Sequence, residues 1–224
     1  GLIFTLLIAL FVKDAPSRKK QKSKKSHKAL YKKCFQNPQT WWVALFGFSI
    51  WAPVTVFASM WGSPFYQQSA GLSSVVSGQL ISVIWITIGL AAPLIGWLSN
   101  HLKQRIWPMV ICSLLGIAST LGLIFIPYHF LTHLLLLIGF GISASALVIG
   151  FGLIVDIQPP AAVGTTIGFT NMAVVMGGIL LLPSVGFVLN HFWSGLSRAG
   201  DPIYSAHTFK MALLVLPLSF LLAL

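Results

Sequence analysis

The chain has 224 residues, of which 56% are hydrophobic and only 8% charged, and its mean hydropathy is +0.88. A water-soluble fold carries roughly 25% charged residues, so this composition excludes an ordinary soluble domain. The formal net charge of +11 is concentrated in one tract, with ten of the fourteen Lys and Arg residues between Lys13 and Lys33, and the chain contains no Glu.

The first element is an apolar stretch, Gly1 to Val12, that runs straight into Lys13. Twelve residues give about 18 Å of helix, short of a hydrocarbon core of about 30 Å. A signal peptide places its basic residues before the apolar run, not after it. Residues 1–12 are therefore expected to be the last part of a spanning helix. Residues 13–40 form a basic linker with too little hydrophobicity to pack a core. It is expected to be a solvated loop held in the cytoplasm by the positive-inside rule. Anionic lipid headgroups would attract it by about 1 kcal/mol per basic residue near the surface. Nucleic acid is not an expected partner, because aromatic interleaving is limited to Tyr31 and Phe35 and membrane helices flank the tract.

Residues 41–224 read as a transmembrane bundle. Lys33 and Lys103 are separated by 69 residues without Asp, Glu, Lys or Arg, whereas one spanning helix needs about 20 apolar residues. Five spans are predicted: Trp41–Gly62, Ser73–Leu98, Ile106–Ile126, Leu131–Val155 and Gly164–Leu189. A sixth begins near Thr208 and stops at Leu224, still apolar, so the chain is expected to be a fragment of a longer protein. The fold class is an all-α, polytopic membrane bundle, truncated at both ends. With the basic linker inside, the loop Ser99–Arg105 is also inside and carries Lys103 and Arg105. The outside loops near Ser63–Leu72 and Pro127–Phe130 carry no basic residue; Arg198 and Lys210 are the exception. Trp41, Trp42, Trp61, Trp97, Trp107 and Trp193 fall near predicted helix ends, as interfacial anchors should. Trp51 and Trp85 are mid-span.

Residues three and four apart share a helix face. Trp51, Thr55, Ser59 and Gly62 fall in one sector of the first full span. Gln79, Ser82, Gly89, Pro93 and Gly96 form a stripe on the second. The fourth carries Gly139/Ser143/Ala146/Gly150 and Gly141/Ser145/Gly152 on nearly opposite sides, and the fifth aligns Gly164, Gly168, Asn171 and Gly178. Small residues allow close helix approach where no hydrophobic effect drives association. Gln79, Asn171 and Trp51 fit that explanation less well. An amide facing lipid would be unsatisfied, so these must meet other helices or a wet cavity. Pro53, Pro93, Pro183 and Pro217 each remove a backbone donor and are expected to kink their helices.

No predicted span holds a carboxylate or basic residue, and intramembrane proton relays usually need Asp, Glu or His. Asp156 lies at a helix end. His129 and His133, four apart at an outside turn, lack a third ligand and read as interfacial, so no metal is expected. Cys34 and Cys112 suggest unpaired thiols. No nucleophile–base constellation is present, which argues against catalysis, and no cofactor is implied.

The inside loop Gly96-Trp97-Leu98-Ser99-Asn100-His101-Leu102-Lys103-Gln104-Arg105 resembles the major facilitator superfamily motif G-x-L-a-D-R-x-G-R-R. Gly96, Leu98 and Arg105 match; Asn100 stands for the acid, His101 and Gln104 for bases and Lys103 for the glycine. The order of parts is similar to that superfamily's second half: helix six, a long basic loop, then helices seven to twelve. Asp156-Ile-Gln-Pro-Pro before Gly164–Asn171 resembles the start of helix eleven, and Pro183–Asn190 its end. The resemblance implies a solute carrier of two six-helix bundles with substrate bound between them, working by alternating access in a cell membrane (plasma or bacterial inner). It also implies that the other bundle, the amino-terminal half, is a partner. The implied cavity points to Trp51, Thr55, Ser59, Gln79, Ser143 and Asn171. Gly96, Asn100 and Arg105 would form a gating loop, with a weaker latch because Asn100 cannot form an ion pair. A non-transporting receptor, scaffold or inactive remnant on the same fold is the alternative reading, ahead of a membrane-embedded enzyme.

Overall fold

A computed structural model of the chain describes residues 2–12, 27–195, 197–198, 201–202 and 204–224. The most basic part of the linker, residues 13–26, lies outside the described residues. Two short helices come first: α1 (Leu2–Phe11) and α2 (His27–Gln36). The spanning bundle follows as α3 (Pro38–Pro53), a π-helical segment (Val54–Trp61), α4 (Gly62–Ala70), α5 (Ser74–His101) and α6 (Ile106–Phe125). It continues with α7 (Phe130–Ala144), α8 (Leu147–Ile157), α9 (Pro160–His191), α10 (Ala206–Leu213) and α11 (Val215–Leu222). A two-residue antiparallel pair, β1 (Ser197–Arg198) with β2 (Asp201–Pro202), is the one departure from helix among the described residues. Five continuous helical stretches are long and apolar enough to cross a membrane: Pro38–Ala70, Ser74–His101, Ile106–Phe125, Phe130–Ile157 and Pro160–His191.

Local chemistry sets these boundaries. Asn37 Oδ1 accepts from the Gln39 N–H at 3.0 Å ahead of Pro38, so α3 starts with a capped end and a proline in its first turn. Ser73 caps α5 through the Val76 N–H, and Ser205 caps α10 through that of Thr208. The first span runs on to Ala70, past the loop expected from Ser63. Pro53 offers no N–H to the carbonyl four residues back, and the helix widens into the π-helical segment that ends with Gly62 N–H donating to Phe57 O. It then continues as α4 until Gly71, whose φ of +67° ends it in the left-handed region. Trp61 consequently lies within the continuous helix and not at its end, beside Gly186 of α9. Trp41, Trp42, Trp97 and Trp107 are exposed near helix ends, as expected.

Helical assignment passes unbroken through Pro93 and Pro183. The fourth span breaks where no proline stands. The Ser145 hydroxyl bonds back to Gly141 O at 2.8 Å, and Ala146 N–H takes a tight bond to Ser143 O. Such back-bonding competes with the helical ladder and bends helices. Pro217 accounts for the last break, because it cannot donate to Leu213 O and the chain turns at Leu214 between α10 and α11.

The core is threaded by a chain of buried aromatics, Phe57, Phe65, Tyr66, Phe140, Phe209 and Phe220, with ring centroids 5.3–6.3 Å apart along the contacts. Helices α5 and α9 are different: only 28% of their apolar windows is buried, against 61% for Pro38–Ala70. One side of the bundle is therefore closed and the other is open.

Helix α2 also departs from the expected solvated linker. Cys34 is fully buried and its Sγ lies 2.8 Å from Thr166 Oγ1 of α9. Gln158 Nε2 donates to Thr40 Oγ1, which donates to Cys34 O, both at 2.8 Å. Phe35 and Trp41 each meet Phe169 edge-on at 5.0 Å. The last part of the linker is thus anchored to the first turns of α9.

Candidate functional site: an open helical face and its rim

The open face is built by α3 with its π segment, α5 and α9. Trp51 is half-buried and meets Trp85 of α5 in a T-shaped pair at 6.3 Å, so the two mid-span tryptophans explain each other. Thr55 is half-buried against Gly178 of α9, which has no room for a side chain there. Ser59 is exposed one turn farther on. The π segment's wider turns keep a four-residue spacing close to one face. Gly62, by contrast, leaves that sector and faces Ile81 of α5.

Gln79 and Ser82 are exposed on α5, and Asn171 on α9. Gln79 lies near the level of Gly62, because Ile81 abuts that glycine. Asn171 lies two turns from Gly178 on the same face of α9, next to the contact of Thr170 and Val174 with Gly47. Trp51, Thr55, Ser59 and Asn171 therefore border one open side of the bundle, whereas Gln79 is exposed on α5 about 120° around the helix from Trp85. Ser143 does not join them. It is fully buried on the opposite side, its Oγ pressed toward Gly116 of α6 and near Phe220 of α11, without a hydrogen-bond partner. The two small-residue stripes of the fourth span do diverge as expected: Gly139 and Ser143 meet α6, whereas Gly141 and Ser145 meet α5.

At the linker end the loop between α5 and α6 draws three helix ends together. Arg105 Nε donates to Asp156 Oδ2 of α8 at 2.8 Å, and its Nη1 donates to Asn100 Oδ1 at 2.7 Å and to Ser99 Oγ at 3.3 Å. Ser99 Oγ donates in turn to Gln104 O at 3.0 Å. The acid missing at position 100 is thus supplied from α8, and Arg105 has its ion pair, with side chains 21% and 48% exposed. Gly152 makes the crossing possible, because a Cβ there would sit 3.2 Å from the Arg105 guanidinium. Gly96 brings α5 within contact of Val148 on α8. Sequence reasoning missed Asp156 as the partner, since 51 residues separate it from Arg105. Its signal was only that it is the one acid between Asp14 and Asp201.

At the remote end, His133 is buried among protein side chains. Its Nε2 lies 3.2 Å from Ile126 O and its Nδ1 3.0 Å from Tyr66 Oη. Among the described residues, no three His, Cys, Asp or Glu side chains gather as a metal ion would require.

The arrangement can present uncharged hydrogen-bonding groups and an aromatic pair to something beside α3, α5 and α9, with an ionic tie at one rim. Comparison with known proteins gives the arrangement a context. A sequence family described as the Major Facilitator Superfamily matches residues 1–182. A crystal structure of a bacterial homolog to the human lysosomal transporter Spinster, inward-facing and unoccupied, superposes with a TM-score of 0.74 at 16% identity. The match covers 100% of this chain and 55% of that one, so the chain spans about half the length of its structural neighbour. No curated protein matches the chain.

Proposed function

The chain belongs to the major facilitator superfamily, and on that premise we propose that it supplies the carboxyl-terminal bundle of a solute carrier working by alternating access. One observation carries this reading: Ser59, Gln79 and Asn171 are exposed on helices otherwise suited to lipid. In hydrocarbon their polar groups would be unsatisfied. Facing a second bundle across a wet path, they would be solvated or bonded to a passing solute. Trp51, Thr55, Ser59 and Asn171 form this chain's share of the substrate wall, and the solute is a small molecule held by neutral hydrogen bonds and aromatic contact. The amino-terminal half of the same carrier supplies the opposite wall.

In this reading residues 1–12 close the sixth helix, 13–40 are the cytoplasmic linker and 41–224 the second bundle. The linker's lysines lie against anionic headgroups of a cell membrane. Arg105, with Asn100 and Gly96, latches the cytoplasmic ends of α5 and α8 in one access state and lets go in the other. The neutral, hydrogen-bonding wall favours transport over catalysis, which needs a nucleophile and a base gathered at the site.

Uptake into vesicles containing the intact protein tests the proposal. Asn171→Ala and Trp51→Ala should each lower uptake about tenfold, the effect of roughly 1.4 kcal/mol, with membrane insertion unchanged. Uptake equal to the parent's would remove both residues from the cavity, and no flux of any solute would leave a receptor or scaffold.

A further inference from the structure

We propose that His133, with Tyr66, is a proton-binding site that clasps the remote ends of the first and fourth spans. His133 is the first-turn histidine of α7, and its side chain is 1% exposed. Ile126 O can only accept, so Nε2 carries the proton and Nδ1 is the bare nitrogen. The Tyr66 hydroxyl, itself fully buried at the far end of α4, therefore donates to Nδ1. The imidazole joins three pieces of chain: the turn after α6, α4 and α7.

Beside it lies a cavity of about 120 Å³ lined by Tyr66, His133, Tyr128, Ser69, Ala206 and Lys210. Ser69 and Ala206 are exposed, so the cavity reaches the surface, and it has room for water. A proton can thus arrive at a side chain otherwise sealed in the core. It adds to Nδ1; none leaves. The hydroxyl of Tyr66 must then turn from donor to acceptor and send its own hydrogen toward the cavity. The titratable and charged groups that line the cavity with His133 are Tyr66 from α4, Tyr128 from the preceding turn and Lys210 from α10, whereas His129, the residue before α7, meets Thr132. No carboxylate faces it among the described residues. The new positive charge is buried without a carboxylate to pair it, in a cavity that Lys210 also lines, so protonation favours opening that hydrates the imidazolium and loosens α7 from α4.

The binding itself stands without the transport reading; that the proton comes from the outer compartment rests on the orientation proposed above. The test uses the protein in lipid nanodiscs. Nitrogen NMR of labelled histidine follows protonation, and spin labels at Gln68→Cys on α4 and Leu131→Cys on α7, both exposed positions, follow the distance between the two sides of the clasp. His133 should be neutral with its proton on Nε2 at the basic end and take up a second proton, at Nδ1, as the pH is lowered across the scanned range. The label distance should lengthen over the same range. His133→Gln, which can still donate to Ile126 O and accept from Tyr66, should fold and lose the pH-dependent step. Tyr66→Phe should move the titration midpoint. A His133 that does not titrate in this range, a titration with constant label distance, or a step that persists in His133→Gln would each overturn the proposal.

Discussion

The closed seams and the open face of the bundle are made from the same small residues put to opposite use. A Cβ on Gly141 would lie 2.6 Å from Thr87 Cβ and 2.9 Å from Ile84 O, and one on Gly177 would lie 2.7 Å from Ala52 Cβ. Gly116, Gly139 and Gly178 are equally filled by a neighbouring helix. By contrast, Gly78, Gly89, Gly164 and Gly168 have nothing within 4 Å. All four lie on α5 or α9, beside Gln79, Ser82 and Asn171. In lipid, helices associate through close packing more than through a hydrophobic drive. A glycine without a neighbour therefore marks a surface reserved for something else. Helices α5 and α9 hold the core with one face and keep another for a partner or a path.

The sharpest way to break this comparison is to add side chains on both sides of it. Gly141→Val should cause the largest loss, about 3 kcal/mol or more, because the obstructing atom at 2.9 Å is backbone and cannot swing aside. Gly89→Ala and Gly168→Ala should leave stability unchanged or raise it by about 1 kcal/mol, the helix-propensity gain. Melting midpoints in detergent, with yield of inserted protein, read both. Similar losses at Gly141 and Gly168 would mean that the open face is not open.

The second test concerns the rim where the two regions meet. Arg105 ties the open helix α5 to the closed helix α8. Arg105→Ala should cost about 1–2 kcal/mol, since solvent reaches Asp156 and screens the charge left behind. Its effect on uptake should be larger, several-fold, because the tie holds α5 in one place relative to α8. Asp156→Asn, which keeps an acceptor for Nε, should lose less of both. An Arg105→Ala protein with parental uptake would reduce the rim to a structural tie.

Much of this was legible in the sequence, and the physical reason is the same at each place. Except at the end of the first span, which runs on from Gly62 to Ala70, span boundaries fall within a few residues of expectation because long neutral runs end at charged or capping residues, as at Ser73 and Arg105. The π segment was not legible, since Pro53 announces a lost hydrogen bond but not how the next turns absorb it. Nor was the break at Ser145, where a hydroxyl chooses a carbonyl of its own helix. The stripes on the fourth span divide Ser143 from Ser145, yet periodicity cannot say which side faces out; only the resemblance points Ser143 to the cavity, and the structure buries it against α6. Helix α2 did leave a trace: Leu30 with Cys34, and Tyr31 with Phe35, repeat at four residues inside the basic tract. Charge overshadowed that trace.

The smallest expected effect lies in the loop that hands α5 to α6. Lys103 has φ of 51°, the one left-handed non-glycine among the described residues. It occupies the position where the superfamily motif carries glycine, so the backbone has kept the turn while the residue that suits it has been replaced. A non-glycine residue in this region costs about 1–2 kcal/mol, whereas glycine returns about 0.5–1 kcal/mol of that as extra freedom in the unfolded chain. Lys103→Gly should therefore stabilise by about 0.5–1 kcal/mol, visible as a higher melting midpoint. Lys103→Ala removes the same charge but keeps the strain, and its midpoint should stay near the parent's. If Ala raised it as much as Gly, the gain would belong to charge among the basic residues of the rim. If neither did, the turn would be held by Gln104 N–H to Ser99 O and Arg105 to Asn100 firmly enough to hide its own strain.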